Sequence, residues 1–246
     1  MSDRWRTRAR SALVAFTLVL LSPATLAQDA DADTLPPGGT ALEPGRYVSS
    51  AVGPTIDFRV DEGWAVGVTP PGPIFTLLRT DQPGTVVTVT RFDGDVYLDS
   101  CDSTSMTQVE PSVQRLAAVI AGNPYLVPGP PAVIEVGGHA GVRIDAGVPA
   151  YDECPLAFVL VWALPIGRGG EFIQVADQQS RFILLDVGGD VIVIAIESFP
   201  GVPFGGLLEA AMELVGSMRI EPGAYIPPPV ADAEASTEPS PAGSPS

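Results

Sequence analysis

The sequence predicts an α+β fold in which a twisted, mainly antiparallel sheet packs against two helices. Short segments rich in β-branched and aromatic residues alternate with turn-forming residues along most of the 246-residue chain. Two longer segments repeat their apolar residues at helical spacing. A third observation is the segment 191–196, Val-Ile-Val-Ile-Ala-Ile, which lacks any polar residue. A strand of this kind is buried on both faces, so we expect at least one helix on the sheet, or one on each face.

Five strands are predicted in the first part of the chain, over residues 46–51, 55–60, 64–68, 74–79 and 85–92. The second of them alternates apolar and polar side chains, as a half-buried strand does. The fifth is rich in β-branched residues, which favour strands. Asp61-Glu62-Gly63 predicts a hairpin turn that joins the second strand to the third.

Six further segments nearer the C-terminus have the composition of strands: residues 132–136, 142–148, 156–164, 171–175, 181–187 and 191–199. Gly137-Gly138-His139-Ala140-Gly141 predicts a hairpin between the first two. Gly188-Gly189-Asp190 is the strongest hairpin signal in the chain, and it joins the last two. Strands joined in this way pair antiparallel, which is the reason for the predicted sheet type.

Two amphipathic helices are predicted, over residues 112–121 and 204–218. Pro111 precedes the first helix and Gly122-Asn123-Pro124 ends it, as helix start and stop signals do. The apolar stripes consist of Val113, Leu116, Ala117 and Ile120 in the first helix, and of Phe204, Leu207, Leu208, Ala211, Val215 and Met218 in the second.

The two ends of the chain have compositions unlike the centre. The N-terminus has a basic start, an apolar stretch over residues 12–21 and small residues before Gln28, which together predict a secretory signal peptide. An uncleaved anchor is the alternative, although the apolar stretch is roughly half the ~20 residues that a spanning helix needs. The predicted organisation is a signal peptide over 1–27, a flexible leader over 28–41, a single α+β domain over 42–222 and a disordered Pro/Ala/Ser-rich tail over 223–246. We therefore expect a secreted or periplasmic, cell-envelope protein with no stable transmembrane segment after signal cleavage.

The composition excludes several kinds of chemistry. All 13 basic residues are Arg, so sites that need a Lys amine, such as P-loops, pyridoxal phosphate Schiff bases and Ser–Lys dyads, are absent. One His and two Cys are too few for the usual zinc sites. A net charge of −16 argues against nucleic acid, whose binding depends on cationic side chains. We expect no cofactor and no metal.

A resemblance to known proteins is carried by turn and core residues. The pattern Pro54-x-x-x-Phe58-x-Val60-x-x-Gly63-Trp64, followed by two helices around a sheet, resembles the Mog1/PsbP-like α/β/α sandwich. The chain also resembles secreted domains of unknown function from GC-rich bacteria. The residues shared with the latter are Leu42-x-Pro44-Gly45-x-Tyr47, Gly63-Trp64, Gly137-Gly138-x-x-Gly141 and Arg181-Phe182-x-x-Leu185-Asp186-Val187. The resemblance spans roughly residues 42–220 and implies a fold and an interaction role, but it brings no catalytic or binding residues with it.

Cys101 and Cys154 are predicted to form one structural disulfide, because two cysteines in an exported chain pair most economically with each other. Free thiols and an intermolecular bridge are the alternatives. We expect His139 to be an exposed turn residue; as a general base it would need a nucleophile that no Ser context supplies.

Acidic residues offer two further candidates. Asp93, Asp95, Asp99 and Asp102, or the leader aspartates, could bind Ca²⁺, but neither set has a recognised loop pattern. Glu62 near Trp64, or Asp152 next to Glu153, could supply the paired carboxylates of a glycoside hydrolase. Charged turn residues explain these positions equally well. Trp64 and Trp162 are expected in the core.

The predicted function is that of an exported, non-enzymatic binding module whose partner is an unknown envelope or extracellular protein or glycan. The alternatives are a carboxylate-dependent hydrolase acting on envelope carbohydrate and a small-molecule carrier. A deep cleft with two carboxylates would favour the hydrolase. An apolar pocket between sheet and helix would favour the carrier.

Overall fold

The structure is a computed structural model that describes residues 32–69, 72–149, 154, 157–164 and 170–225. These residues form seventeen strands and two helices. The strands are β1 (Asp33–Thr34), β2 (Ala41–Leu42), β3 (Gly45–Ser49), β4 (Thr55–Val60), β5 (Trp64–Val66), β6 (Ile74–Arg79), β7 (Thr85–Phe92), β8 (Asp95–Tyr97), β9 (Met106–Gln108), β10 (Val127–Pro128), β11 (Ala132–Val136), β12 (His139–Gly147), β13 (Val159–Ala163), β14 (Glu171–Gln174), β15 (Gln179–Val187), β16 (Asp190–Ser198) and β17 (Arg219–Glu221). The helices are α1 (Val113–Gly122) and α2 (Phe204–Ser217). The predicted signal peptide and residues 226–246 of the predicted tail lie outside the described ranges.

A nine-stranded sheet forms the middle layer and is called the main sheet below. Its strand order is β10-β12-β15-β16-β7-β6-β5-β2, and β11 pairs with β12 on the same side as β10. Every pair of neighbouring strands in it is antiparallel. The prediction of a mainly antiparallel α+β fold with two helices is confirmed.

Two four-stranded sheets pack on opposite faces of the main sheet. The first, called the α2-side sheet, has the order β1-β3-β4-β17 and shares an apolar core with α2 and one face of the main sheet. The second, called the α1-side sheet, has the order β14-β13-β8-β9 and shares a separate core with α1 and the other face. The described chain therefore has three layers, where the sequence predicted one sheet.

Strand β16 shows why both faces are covered. Ile192, Ile194 and Ile196 belong to the core on the α2 side, whereas Val191, Val193 and Ala195 belong to the core on the α1 side. Each of these six side chains is at least 97% buried. Burial of one Ile or Val stabilises the folded state by roughly 1.5–3 kcal/mol, so neither face can be left exposed to water. The predicted double burial of this strand is confirmed.

The turn at residues 61–63 is a correction to the sequence prediction. It does not close a hairpin, because β4 pairs with β3 and β17 in the α2-side sheet, whereas β5 pairs with β2 and β6 in the main sheet. The chain passes here from the α2-side sheet to the main sheet. The apolar side chains of β4 and the Trp64 side chain pack into the core between these two sheets, each from its own side. A turn signal shows where the chain reverses but not which strand pairs with which.

Both predicted glycine hairpins are present, the first with a shorter turn than predicted. Gly137 and Gly138 connect β11 to β12 with φ values of 59° and 84°, and Gly188 and Gly189 connect β15 to β16 with φ values of 66° and 96°. Two successive left-handed residues form the tight turn that matches the twist of paired strands, and glycine adopts this conformation without strain.

Both helices lie close to their predicted positions. The Ser112 side chain accepts a hydrogen bond of 3.1 Å from the Arg115 backbone N–H and so caps the start of α1. Val113, Leu116 and Ile120 of α1 face the core, as the apolar spacing predicted. Helix α2 begins after Pro203 and buries Leu207, Ala211 and Val215 against the opposite core.

The segment predicted as a flexible leader is described from residue 32 onwards. It contributes β1, which pairs in parallel with β3, and the first residue of β2. The Leu35 backbone N–H donates to the Val48 carbonyl, and the Gly39 N–H donates to the Val66 carbonyl. These hydrogen bonds connect residues 32–41 to two layers of the structure. In the part of the chain that the structure describes, no helix is long and apolar enough to cross a membrane.

Candidate binding groove

A groove of about 330 Å³ lies between α1 and the strands β8 and β9. We call it the α1 groove. Helix α1 presents a second stripe of residues to it, at spacing i, i+3, i+4 and i+7, which places them on one side of the helix. These residues are Arg115, Ala118, Val119 and Gly122. Because the first stripe faces the core, α1 separates the core from the groove.

The opposite wall comes from β8 and from the residues that follow β8 and β9. Val96, Leu98 and Val109 line it, and the Leu98 side chain is 78% exposed. The backbone N–H of Leu98 donates to the Ser105 carbonyl, so the wall is continued by hydrogen bonding beyond the end of β8. Leu98 on this side and Ala118 on the helix are exposed apolar side chains of the lining, and exposed apolar side chains in an open groove are typical of a binding surface.

Two buried polar side chains also line the groove. Ser100 and Asn123 are 6% and 8% exposed, and the Asn123 Nδ2 donates to the Ser100 Oγ at 2.9 Å. The Asn123 Oδ1 accepts from the Tyr125 backbone N–H at 3.0 Å, which fixes the orientation of the amide. The second Nδ2 hydrogen and the Ser100 hydroxyl hydrogen have no acceptor among the described residues. The groove therefore contains two spare donors.

Arg115 adds a positive charge to the groove. Four of the eight arginines in the described ranges form ion pairs with aspartates, but Arg115 forms none with the residues that the structure describes. No acidic residue is found among the described residues that line the groove. The lining therefore carries one positive charge and no negative one, in a chain with a net charge of −16. Two carboxylates lie nearby without lining the groove: burial first, and then the charges of Glu171 and Asp95, raise the pKa of the lining Tyr97.

A second groove, called the α2 groove, measures about 430 Å³ and lies between α2 and the strands β12 and β15. Phe204 and Leu208 form its apolar wall, and Asp145 is the one acidic residue among the described residues that line it. Arg181 donates to both Asp145 carboxylate oxygens, at 2.6 and 2.7 Å. These bonds hold the pKa of the Asp145 carboxyl below its usual value. A hydrolase would need a second carboxyl facing Asp145.

A buried carboxyl lies between the main sheet and the α1-side sheet. Glu197 of β16 is 5% exposed, and its Oε1 accepts hydrogen bonds of 2.7 Å from both Gln174 Nε2 and Gln178 Nε2. The Thr88 hydroxyl lies 3.3 Å from the Glu197 Oε2. Burial raises the pKa of the Glu197 carboxyl to about 7, although the three hydrogen bonds lower it. This group holds two layers together rather than lining either groove.

The structure brings the two cysteines together. The Sγ atoms of Cys101 and Cys154 lie at disulfide distance, and Cys101 directly follows Ser100 of the α1 groove. The Asp99 Oδ1 accepts from the Cys101 backbone N–H at 2.9 Å, so the carboxylate faces its own loop. That the bond forms in the exported protein stays a prediction.

His139 differs from the expected exposed turn residue. It is half-buried at the first position of β12, and its Nε2 lies 3.0 Å from the Ile220 carbonyl oxygen. The carbonyl only accepts, so Nε2 carries the hydrogen and donates it. His139 therefore joins the β11–β12 hairpin to β17. The two-residue turn is shorter than expected because Gly137 and Gly138 alone close it.

The other sequence candidates are dispersed. Asp93 pairs with Arg91 at 2.6 Å, and the Asp102 Oδ1 accepts from the backbone and side chain of Thr104. No group of three or more His, Cys, Asp or Glu side chains suited to a metal occurs within the described ranges. The Glu62 backbone carbonyl accepts from Arg79. The pair Asp152 and Glu153 lies outside the residues that the structure describes.

Both tryptophans expected in the core are buried. Trp64 is 2% exposed and is covered by the Arg79 guanidinium, 5.2 Å from the ring centroid. Trp162 is fully buried and stacks on Phe172 with 3.9 Å between the ring centroids. Neither lines the α1 groove or the α2 groove.

Sequence reasoning missed the groove residues. The sequence shows Asn123 only as part of a helix stop signal. Nothing in the sequence indicates that Ser100 lies next to Asn123, because the two residues are 23 positions apart. Glu197 did leave a signal. It is an acidic residue directly after six apolar residues in a strand predicted to be buried on both faces.

Comparisons with known proteins find similar solved structures at low sequence identity. No family model matches the chain, and no curated protein matches it. Similar solved structures include a protein of Bacteroides thetaiotaomicron, with 9% identity, a TM-score of 0.39 and coverage of 75% of this chain and 50% of that one. This chain therefore spans about half the length of the Bacteroides protein.

Two further solved structures are similar to the chain at the same level. One is LpqN, involved in cell envelope biogenesis of Mycobacterium tuberculosis, with 12% identity, a TM-score of 0.38 and coverage of 69% of this chain and 84% of that one. The other is cyanobacterial PsbP (CyanoP) from Synechocystis, with 10% identity, a TM-score of 0.37 and coverage of 76% and 96%.

Proposed function

We propose that this protein is a non-enzymatic binding module that works outside the cytoplasm, in the cell envelope or the extracellular space. The observation that carries the proposal is the α1 groove, which combines an apolar lining with two buried polar side chains and one Arg that has no ion pair among the described residues. Binding sites are typically built in this way, from an apolar lining and a few placed polar groups.

The proposed location has separate support. The N-terminal 27 residues have the sequence features of an export signal, and the two cysteines lie at disulfide distance. Disulfides form and persist in oxidising compartments, so a bonded pair would be expected in an exported chain.

A pair of matched variants tests the binding role. Val119 lines the α1 groove, and Val119→Glu places a carboxylate in it. Val68 is 84% exposed beyond the end of β5 and lines neither groove, so Val68→Glu adds the same charge elsewhere. The wild type and each variant are exported from a bacterial host, recovered under native conditions, and analysed for retained molecules by native mass spectrometry and proteomics.

We expect wild type and Val68→Glu to retain the same molecule or partner, and Val119→Glu to lose it. Val119 is half-buried and packs against the core on the α1 side, so Val119→Glu should also lower the unfolding midpoint. Ala118→Glu, at an exposed position of the same groove wall, should lose the molecule while keeping the wild-type midpoint. Equal retention by all four proteins, or retention by none, would count against the proposal.

A further inference from the structure

We infer that the α1 groove binds a small amphipathic molecule with a carboxylate head group and an apolar tail. The inference rests on the proposed binding function, since it names the class of ligand for the same groove. It depends on three features of the described residues: the unused donors, the charge around them, and the apolar walls.

The head group follows from the unused donors. The second Asn123 amide hydrogen and the Ser100 hydroxyl hydrogen have no acceptor among the described residues, although both side chains are more than nine-tenths buried. The Asn123 Nδ2 and the Ser100 Oγ already bond to each other, so a ligand that accepts the two remaining hydrogens adds hydrogen bonds at a site largely shielded from water, where such bonds are stronger than in water. A carboxylate fits because it only accepts, and its two oxygens together offer about four lone-pair sites.

The charge around the groove also favours an anion. Arg115 is exposed on α1 and forms no ion pair with the residues that the structure describes. The Asp99 and Asp102 carboxylates of the loop between β8 and β9 accept from the Cys101 N–H and from Thr104, and neither forms an ion pair with Arg115. A guanidinium binds a carboxylate in a charge-assisted hydrogen bond, which is stronger than a hydrogen bond between neutral groups.

The apolar tail follows from the walls and the size. Val119 and Ala118 of α1 face Leu98 and Val109 across the groove, and Leu98 is 78% exposed. A volume of about 330 Å³ lies at the lower end of the range for small-molecule sites. A tail placed there would remove the Leu98 side chain from water, which is favourable in proportion to the apolar area buried.

Three probes of equal chain length test the head group: decanoate, decanol and decylamine. Each is titrated, below its micelle concentration, into the disulfide-bonded protein, and binding is measured by calorimetry and by amide chemical shifts. We expect decanoate to bind at least about tenfold more tightly than decanol, because its head group gains a charge-assisted hydrogen bond. Decylamine should bind most weakly. Its ammonium group only donates hydrogen bonds and is positively charged, so it accepts nothing from the Ser100 and Asn123 donors and is repelled by Arg115.

Variants assign the effect to the groove. Arg115→Gln should weaken decanoate binding by about tenfold and leave decanol binding unchanged, because it removes the charge alone. Arg59→Gln is the matched control, since Arg59 also lacks an ion pair with the described residues but lies away from the α1 groove. Val119→Glu should abolish binding of both probes.

The outcomes separate the ligand class from the binding function. Equal affinities for the three probes, or loss of decanoate binding in Arg59→Gln, would overturn the carboxylate ligand. Absence of binding by all three probes would overturn it as well. If native mass spectrometry still shows a molecule that Val119→Glu loses, the binding function stands with a different ligand. If it shows none, both proposals fail.

Discussion

Glu197 is the single residue whose chemistry is most changed by its surroundings. Its Oε1 accepts two hydrogen bonds from glutamine side chains, and its Oε2 lies 3.3 Å from the Thr88 hydroxyl. The two glutamine amides and the Thr88 hydroxyl all donate to this carboxyl group, which favours its ionised form, whereas burial favours the protonated form and outweighs them. Its hydrogen-bond partners are all uncharged, so the ionised form has no counter-charge to offset its burial.

Glu197 therefore makes stability depend on pH. Its pKa is about 7 in the folded protein against 4.5 in the unfolded chain, so the folded state binds more protons between these values. The resulting stabilisation is fully present below pH 4.5 and is lost as the pH rises through 7, by about 3 kcal/mol at most. Urea denaturation at pH 5 and pH 8 measures it.

The matched variant is Glu197→Gln, whose amide oxygen still accepts from the two glutamine side chains and whose side chain does not titrate. We expect its unfolding free energy to change little between pH 5 and pH 8, while Glu209→Gln on the exposed side of α2 behaves as wild type. Asp145, whose pKa is lowered by Arg181, acts in the opposite sense and only near or below its ordinary value of 3.8. A wild type that gains stability from pH 5 to pH 8 would contradict the assignment to Glu197.

The cysteine pair gives a second prediction at this scale. A bond between Cys101 and Cys154 closes a loop over a sequence separation of 53, which constrains the unfolded chain by roughly 4 kcal/mol in the entropy model. We expect no titratable thiol in the exported protein denatured without reductant. The variant with both cysteines changed to Ser should lose about 4 kcal/mol of unfolding free energy. Two titratable thiols per chain would show that the pair is reduced.

At the scale of single elements, the start of α1 can be tested directly. Ser112→Ala removes the side-chain oxygen that accepts from the Arg115 N–H and should cost about 1 kcal/mol of unfolding free energy. Ser112→Asp keeps an acceptor at the cap and should be close to neutral. Thermal denaturation of the two variants distinguishes them, and equal losses would mean that the cap contributes nothing specific.

Elements that bury a regular apolar pattern could be predicted from the sequence, and short ones could not. Strands β4, β6 and β7 have the predicted bounds, because their alternation or β-branched content is continuous. Strands β8, β9 and β17 have three residues each and contain too few side chains for a period to show. The α1 groove lies between α1 and two of these short strands, so the sequence could not predict the wall that the strands form.

At the scale of the whole molecule, the sequence predicted that β16 is buried on both faces but not what covers them. The second helix covers one face together with β3 and β4, although the hairpin predicted at residues 61–63 had placed β4 in the same sheet as β5. The Ser217 side chain accepts from the Arg59 backbone N–H, and the two residues are 158 positions apart. No local sequence pattern predicts a contact over that separation. The groove residues Ser100 and Asn123 meet for the same reason, through the packing of whole layers.

The three-layer arrangement predicts that both faces of the main sheet are equally intolerant of truncation. Ile194 faces the core on the α2 side and Leu184 faces the core on the α1 side, and both are fully buried. Truncation of either to Ala removes buried methyl groups and leaves a cavity, which should cost about 2–5 kcal/mol. Leu98→Ala, at a side chain 78% exposed, should cost less than about 0.5 kcal/mol. Chemical denaturation of the three variants measures these losses. If Leu184→Ala were as mild as Leu98→Ala, the α1-side sheet and α1 would not be packed on the main sheet, and the α1 groove would lose the layer that supports its helix.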